Sequence, residues 1–232
     1  MGGKKMCGRF VQFSSLRTLE ANFPIDAIAG DVRANYNVAP TQEVLAIINQ
    51  NGRRLEKLRW GLVPSWAKNV SGASRLINAR AETAAHKPSF RAAFKRRRCL
   101  IMADGYYEWQ GEKGNKQPYY FSRPSNRPFA FAGLWETWQS KADPGDDPIY
   151  KSCTILTTAA SDSLRDIHHR MPVILEPEVY ENWLDPKIHE PDRVENILQN
   201  HLIRSMQYYP VSKLVNRVQH NSAENISPLA ER

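Results

Sequence analysis

Cysteine is scarce in this sequence, and its three copies lie far apart. Cys7, Cys99 and Cys153 form no Cys-x-x-Cys pair in the 232 residues. Structural zinc sites and disulfide frameworks need more cysteines at closer spacing, so we expect neither, and a reducing cytosol is the default compartment. We therefore expect a cytoplasmic protein, associated with the nucleoid if its source is bacterial, that uses no metal and no cofactor.

Long apolar runs and nucleotide-binding signatures are also missing. No stretch approaches the roughly 20 apolar residues of a membrane helix, and the N-terminus MGGKKMCGRF lacks the apolar segment of a secretory signal, so we expect no membrane partner. The absence of a glycine-rich phosphate loop in alternating βα units disfavours a dinucleotide-binding fold. No helix-turn-helix, zinc-finger or RNP1 pattern indicates sequence-specific reading of duplex DNA.

Positive charge, by contrast, is in excess. The chain has 32 Lys and Arg against 24 Asp and Glu, a net charge of +8 with neutral histidines, which favours polyanionic partners. Part of the charge is concentrated in the run 95–98, for which a solvated helix end with cations near the C-terminal dipole is the simpler interpretation. Arg9, Arg80 and Arg170 lie beside unusual polar residues instead, and this favours the nucleic-acid interpretation.

The hydrophobic pattern predicts a mixture of helices and short strands. Residues 14–23 are typical of a helix with a serine cap, and residues 44–60 predict a hairpin around Asn51-Gly52. Further predicted helices span 86–97, 177–184 and 191–203. The remaining predicted strands are 99–103, 106–110, 118–122, 129–138, 150–158 and the segment MPVILEP.

This order of elements predicts a single α+β domain. Its sheet is mostly antiparallel, is able to close into a barrel, and is flanked by helices. Cys99 and Cys153 fall in apolar strand segments, so we expect buried core thiols there. The polar residues at the C-terminus predict a loose tail.

Four polar segments interrupt the apolar pattern, and each has an ordinary explanation. A cysteine near a terminus is usually a plain thiol, Glu108 fits a solvent-facing strand position, His168 a surface histidine, and Asn78 a turn or cap. Together with the arginines, they would fit a nucleophile with an acid–base pair and an anion clamp, or equally a thiol hydrolase. Spacing alone does not place them in one pocket, so the residues leave the function open. The four segments are 6–10, 76–83, 103–109 and 166–172.

Seven motifs nevertheless occur in an order that is far more specific than any one of them. Together they resemble the SOS-response-associated peptidase (SRAP) family, the abasic site processing proteins, over most of the chain. The motifs are MCGRF (6–10), YNVAP (36–40), RWGLVPSWA (59–67), LINARAET (76–83), ADGYYEW (103–109), FAFAGLWE (129–136) and DIHHRMPVIL (166–175).

The resemblance implies a DNA-damage response protein. Members of the family bind abasic sites in single-stranded DNA and join themselves to the sugar through an N-terminal cysteine, here Cys7. They are also linked to abasic-site lyase and self-cleaving peptidase activities. The family's asparagine, glutamate and histidine correspond to Asn78 in LINAR, Glu108 in YYEW and His168 in DIH, although His169 could compete for the last role.

The resemblance also implies where DNA binds. We expect Arg9, Arg80 and Arg170 to contact phosphates and Trp66 to stack on a base, with a core aromatic as the alternative for Trp66. We expect a monomer.

The position of the cysteine departs from the family pattern. Cys7 follows six residues, so it has no free α-amine while they remain, and removal of Met1 would expose only Gly2. Either Met6 is the true start, or a short propeptide is removed by self-cleavage, or the leader stays and leaves the protein inactive or only DNA-binding. We expect a leader or added extension over 1–5, an SRAP-like domain over 6–222 and a polar C-terminal tail over 223–232.

Three functions remain in competition. The first is a DNA-repair protein that crosslinks itself to abasic single-stranded DNA through Cys7. The second is a thiol peptidase that uses Cys7 with Glu108 and His168. The third is a non-catalytic module that binds single-stranded nucleic acid, with an affinity that falls steeply with salt.

Overall fold

Short strands dominate the chain, as the hydrophobic pattern predicts. The computed structural model describes residues 8–112, 114–140 and 149–229, and no helix in those ranges is both long and apolar enough to span a membrane. The strands are β1 (Phe10–Gln12), β2 (Ala27–Ala29), β3 (Asn35–Val38), β4 (Glu43–Asn49), β5 (Arg53–Trp60), β6 (Asn78–Arg80), β7 (Arg98–Ala103), β8 (Gly105–Gln110), β9 (Gln117–Ser122), β10 (Phe129–Trp138), β11 (Tyr150–Ala159), β12 (Arg170–Pro172), β13 (Ile174–Leu175) and β14 (Gln207–Pro210).

Helices are few and short in the same ranges. None of the described α-helices exceeds the 10 residues of the last one. They are α1 (Leu16–Asn22), α2 (Ala81–Ala84), α3 (Arg91–Arg96), α4 (Tyr180–Leu184) and α5 (Pro191–Asn200), and 3₁₀ turns span Val70–Arg75, Asp162–Leu164, Pro177–Val179, Lys213–Asn216 and Ala223–Ile226.

Five of the strands close into a barrel. β5, β4, β7, β10 and β11 pair with one another in that order, and each of these pairings is antiparallel. β11 then returns to β5 in a parallel pairing that sets Ser152 opposite Arg59 and Cys153 opposite Trp60. The expectation of an α+β domain with a mostly antiparallel, barrel-like sheet is confirmed.

Side chains of the barrel strands alternate between two cores, as the two-residue period of a strand requires. Val44, Ala46 and Ile48 of β4 belong to the core inside the barrel. Leu45 and Ile47 belong to the core between the barrel and its helices, which includes residues of α1, α3, α4 and α5. Both faces of β4 are therefore buried.

The barrel interior is filled to the point where one position must be glycine. A Cβ atom on Gly133 would lie 2.7 Å from Cys99 Sγ and 2.8 Å from Ile101 Cδ1. Cys99 and Cys153 are fully buried in this interior, and burial raises the pKa of both thiols. The prediction of two core thiols is confirmed.

A second, antiparallel sheet packs against the barrel with the strand order β14-β9-β8-β1-β3. Phe10 of β1 joins the two, because its ring makes edge contacts with Trp60 at 5.1 Å and Phe131 at 5.5 Å between ring centroids. A small third core, which contains Tyr107 and Val215, lies on the other face of this sheet. β1 is thus anchored next to the point where the described chain begins.

The local predictions hold where turn or cap chemistry is strong. Ser15 caps α1, and Asn51 and Gly52 adopt positive φ angles of 58° and 111° in the β4–β5 hairpin. The helix predicted over 86–97 is shorter, because Pro88 disfavours helical geometry in the residue before it and α3 begins only at Arg91.

Residues 223–229 do not form the loose tail expected from their polar composition. Asn225 is fully buried, where its Nδ2 donates to the His220 carbonyl at 2.6 Å and its Oδ1 lies 2.7 Å from His220 Nδ1. Tyr209 Oη donates to the Ile226 carbonyl at 2.8 Å. Hydrogen bonds thus fix this segment and bury Asn225, although most of its other described residues are exposed, as their composition predicts.

Candidate active site

Glu108 and His168 line the same open cleft, which has a volume of about 390 Å³. The two residues are only 4% and 8% exposed. The other residues that line this cleft are Trp109, Gly114, Lys116, Lys213 and Asn216.

The strand register brings the start of the described chain to Glu108. β1 pairs antiparallel with β8, with Phe10 opposite Tyr106, and the Tyr107 amide donates to the Arg9 carbonyl at 3.0 Å. Continued by two residues, this register sets Gly8 across from Glu108. Cys7, the residue before Gly8, lies outside the described residues.

His168 is held by the backbone of its own segment. Its Nδ1 lies 3.2 Å from both the amide nitrogen and the carbonyl oxygen of Arg170. The N–H can donate to the neutral ring, and the carbonyl can accept from the ring once Nδ1 carries a proton. The neighbouring His169 ring stacks on His168 with 4.5 Å between centroids, but His169 is exposed and does not line the cleft.

Arg170 itself is tied down by a carboxylate and a strand. Its Nη1 and Nη2 donate to Glu82 Oε1 and Oε2 at 2.7 and 2.9 Å, and Nη2 also donates to the Thr157 carbonyl at 2.6 Å. Burial is the largest single influence on Glu82 and would raise its pKa, but the hydrogen bonds and charge of Arg170, together with hydrogen bonds from the Glu82 backbone and Thr158, hold that pKa below its ordinary value. The guanidinium group of Arg170, which we expected to contact a phosphate, is therefore already hydrogen-bonded within the protein.

Asn78 and Arg80 come from β6, which pairs in parallel with β11. Asn78 Oδ1 is buried, and Asn78 does not line the cleft of Glu108 and His168. The adjacent Ile77 carbonyl accepts from Trp60 Nε1 at 2.8 Å, and the Trp60 ring contacts Phe10, so one chain of contacts connects Asn78 with β1. Arg80 is exposed at the end of β6.

Arg9 is half-buried and already has two acceptors. Its Nη1 donates to Asn37 Oδ1 at 2.6 Å and to the Val215 carbonyl at 2.7 Å, and burial lowers its pKa. This arginine ties the start of the described chain to the C-terminal segment.

Trp66 lies in a different cleft of about 310 Å³, next to Lys68 and Arg75. Its side chain is 59% exposed, so the alternative of a core aromatic is wrong. An exposed indole beside two cations is what stacking on a base requires.

Comparison with known proteins decides the family. The model of the family named SOS response associated peptidase (SRAP) matches residues 6–218. The chain belongs to this family. It is 45% identical over 225 residues to the abasic site processing protein YoqW of Bacillus subtilis, covering 95% of this chain and 99% of that protein. It is 31% identical over 235 residues to the abasic site processing protein YedK of Escherichia coli, covering 97% and 100%.

The SRAP fold is also that of a solved structure. A protein from Bacteroides thetaiotaomicron superimposes with a TM-score of 0.79 at 24% sequence identity, covering 95% of this chain and all of that one. At this identity the likeness concerns the fold alone.

Sequence reasoning missed several residues of this SRAP cleft. Trp109 stood in a quoted motif without a role, while Lys116, Lys213 and Asn216 stood in polar or turn-rich stretches. No local pattern marks these residues, because the last two reach the cleft from a distant part of the chain. In the described ranges, no three His, Cys, Asp or Glu side chains cluster as a metal site would need.

The basic run of the SRAP chain is divided by the fold. Arg98 is buried, and its guanidinium donates to the carbonyls of Phe94 at 2.9 Å, Lys95 at 2.7 Å and Trp183 at 2.7 Å. Arg97 forms an ion pair with Glu136. Arg98 therefore caps the end of α3, as the helix-end interpretation predicts, but the expectation that this cation is solvated is wrong, because Arg98 is buried.

Proposed function

We propose that this protein recognises abasic sites in single-stranded DNA and joins itself to them through Cys7. The observation that carries the proposal is the convergence of Glu108 and His168 in one cleft, with Gly8 across from Glu108 by strand register. Cys7 is bonded to Gly8, so its amine and thiol are the groups that the chain can deliver there. The names of the relatives, abasic site processing proteins, point to the same substrate.

The chemistry explains why a terminal cysteine is required. A ring-opened abasic sugar presents an aldehyde, and an α-amine with a pKa of roughly 7.7–8.0 is substantially neutral near physiological pH, unlike a lysine amine near 10.4. The amine adds to the aldehyde and water leaves, which gives an imine. The thiol of the same residue then adds across the C=N bond, its proton passes to nitrogen, and a five-membered thiazolidine ring results.

The cleft residues take the proton transfers in this scheme. Glu108 orients the amine and accepts its proton, and His168 donates a proton to the sugar oxygen as the ring opens. Asn78 does not line this cleft and is connected to β1 through Ile77, Trp60 and Phe10; in the proposal it holds the amine or the sugar oxygen by hydrogen bonds. If the imine loses a proton and expels the 3′ phosphate instead of closing to the thiazolidine, lyase activity results. Attack by the Cys7 thiol on the Met6 carbonyl would break the peptide bond and form a thioester, and water would then hydrolyse the thioester to complete self-cleavage.

The residues proposed to contact DNA are ranked by how exposed they are. Arg80 and Trp66 are exposed, so they are the first candidates for a phosphate contact and a stacked base. Arg9 and Arg170 already bind groups of the protein and would use their remaining N–H groups. The substrate strand then runs past the cleft of Glu108 and His168.

An intact-mass measurement tests the proposal. The full chain and a version that starts at Met6 are incubated with a single-stranded oligonucleotide that carries one abasic site. We expect a protein that begins at Cys7 and an adduct equal to protein plus DNA less one water. Cys7→Ser retains the amine and should give an adduct only after borohydride reduction of the imine, whereas Cys153→Ala, which removes a buried thiol, should crosslink normally.

The outcomes separate the competing functions. A leader-free protein that forms no adduct would overturn the crosslinking proposal. Turnover of unrelated peptides by the same sample would favour a thiol peptidase, and salt-sensitive binding without an adduct would favour a binding module. A full chain that fails to react while the Met6 version reacts would identify a blocked form of the same enzyme.

A further inference from the structure

Two lysines from segments that are far apart in the sequence line the cleft of Glu108 and His168. Lys116 follows the turn after β8, and Lys213 begins the 3₁₀ turn Lys213–Asn216. In the described ranges, lysine ion pairs are formed by Lys57 and Lys151, and neither cleft lysine has an acidic partner. The cleft therefore presents two cations, with no acidic partner among the described residues, beside a buried carboxylate and a histidine.

The fold fixes these two segments to each other. Lys213 Nζ donates to Asn115 Oδ1 at 3.1 Å, next to Lys116 in the chain. Gln117 Nε2 donates to the Val211 carbonyl at 2.8 Å, and the Val211 amide donates to the Pro118 carbonyl at 3.0 Å. The two lysines are therefore brought to the cleft together, before any ligand arrives.

The segment that carries Lys213 is also held by the residues that follow this lysine. Val215 is fully buried, and its carbonyl accepts from Arg9 Nη1 at 2.7 Å and from Asn37 Nδ2 at 3.2 Å. Asn216 Oδ1 accepts from Trp109 Nε1 at 2.8 Å. A segment held at both ends loses little entropy when its lysine binds a ligand, and this favours a binding role.

We propose that Lys116 and Lys213 form a phosphate subsite that holds the DNA backbone next to the abasic sugar. The subsite rests on the proposed function, because it takes the sugar at Glu108 and His168 as its reference point. Lysine suits this task as a point charge with rotatable donors, since the backbone phosphates differ in orientation from one nucleotide to the next. The ligand class is a phosphodiester anion of single-stranded DNA, and the contact carries no sequence information.

Salt titration of binding tests the subsite without any covalent step. The probe is a labelled single-stranded oligonucleotide with no abasic site, and its affinity is measured over a range of salt concentrations. Each single-strand phosphate contact contributes a slope of roughly −0.7 to log K against log salt. We expect Lys116→Ala and Lys213→Ala each to reduce the magnitude of the slope by about 0.7, and the double variant by about 1.4.

Matched variants separate charge from general damage. Lys187→Ala removes an exposed lysine in the helical layer outside the barrel, and its slope should equal that of the wild type. Lys116→Arg and Lys213→Arg keep the charge and should keep the slope. Thermal unfolding of each variant verifies that the fold is intact.

The decisive result is the slope of a folded double variant. A slope equal to that of the wild type would overturn the phosphate subsite, even if the protein still forms an adduct with abasic DNA. If the wild type forms no adduct but the double variant has a smaller slope than the wild type, the crosslinking proposal is overturned and the subsite is retained. A methylphosphonate placed next to the abasic site should weaken wild-type binding more than binding by the double variant.

Discussion

Arg170 and Glu82 form a bidentate ion pair, with Nη1–Oε1 and Nη2–Oε2 distances of 2.7 and 2.9 Å. The backbone nitrogen and the carbonyl oxygen of Arg170 each lie 3.2 Å from His168 Nδ1. The carboxylate thus holds the side chain of the residue whose backbone orients the histidine. In the proposed reaction Glu82 would be a positioning residue, because it contacts His168 only through Arg170.

Loss of the Glu82 charge should therefore slow crosslinking. We expect Glu82→Gln to lower the rate of adduct formation by about 10- to 100-fold, because His168 would be misplaced, and to move the pH profile of that rate. Glu82→Asp should restore part of both. Glu178→Gln removes an exposed carboxylate elsewhere, and an identical loss in that variant would contradict a positioning role for Glu82.

The same ion pair should make stability depend on pH. The pKa of Glu82 is lowered in the folded protein from an ordinary value of 4.5. A lowered carboxylate pKa contributes stability that is present above the ordinary value and lost as pH falls through the folded one. Urea unfolding at pH 7 and at several values below 4.5 should show the advantage of the wild type over Glu82→Gln shrinking as pH falls; a constant advantage would contradict this.

The two adjacent histidines should differ sharply in function. His168 lines the cleft, so we expect His168→Gln to slow adduct formation by roughly 100-fold, the lower range for a lost general acid or base. His169 is exposed and lines no part of that cleft, so His169→Gln should react at nearly the wild-type rate. Single-turnover rates with abasic oligonucleotide measure both, and equal losses would show that the cleft is not the reaction site.

Trp66 should contribute to DNA binding without contributing to stability. Its side chain is 59% exposed, so Trp66→Ala should leave the unfolding temperature unchanged. A lost stacking contact should cost about 1–3 kcal/mol in binding to single-stranded DNA, and Trp66→Phe should recover most of it. Fluorescence anisotropy checks the prediction; wild-type affinity in Trp66→Ala would exclude stacking.

Arg98 should behave in the opposite way. Burial lowers its pKa to about 10, and its guanidinium donates to four backbone carbonyls, of which a lysine could reach only some. We expect Arg98→Lys to cost about 2–4 kcal/mol of unfolding free energy and to leave DNA affinity unchanged once folded. Arg96→Lys at an exposed position is the control, and equal stability of the two variants would contradict a capping role.

Local chemistry made the hairpin and most long strands predictable from the sequence. Asn51-Gly52 supplies the positive φ angles of a tight turn, and β10 and β11 are long enough to show their apolar pattern. β1 and β6 have three residues each, too few to show any period. Yet β1 pairs with the strand of Glu108, and β6 carries Asn78. These short strands exist because neighbouring strands pair with them.

The site was predictable only in part, for a related reason. Family motifs named Glu108 and His168, and the structure brings both to one cleft. Lys116 and Lys213 have no such motif, since they meet only after the C-terminal segment folds back to β9. Cys7, the predicted nucleophile, lies outside the described residues, so its role stays a prediction.

The parallel contact between β5 and β11 has a consequence for biosynthesis. Arg59 and Ser152 are paired in the finished barrel, yet Ser152 leaves the ribosome 93 positions later (152 − 59). Until then the nascent chain carries part of β5 as an unpaired edge, the kind of surface that recruits other strands and favours aggregation. Long-range pairing of this type also slows folding.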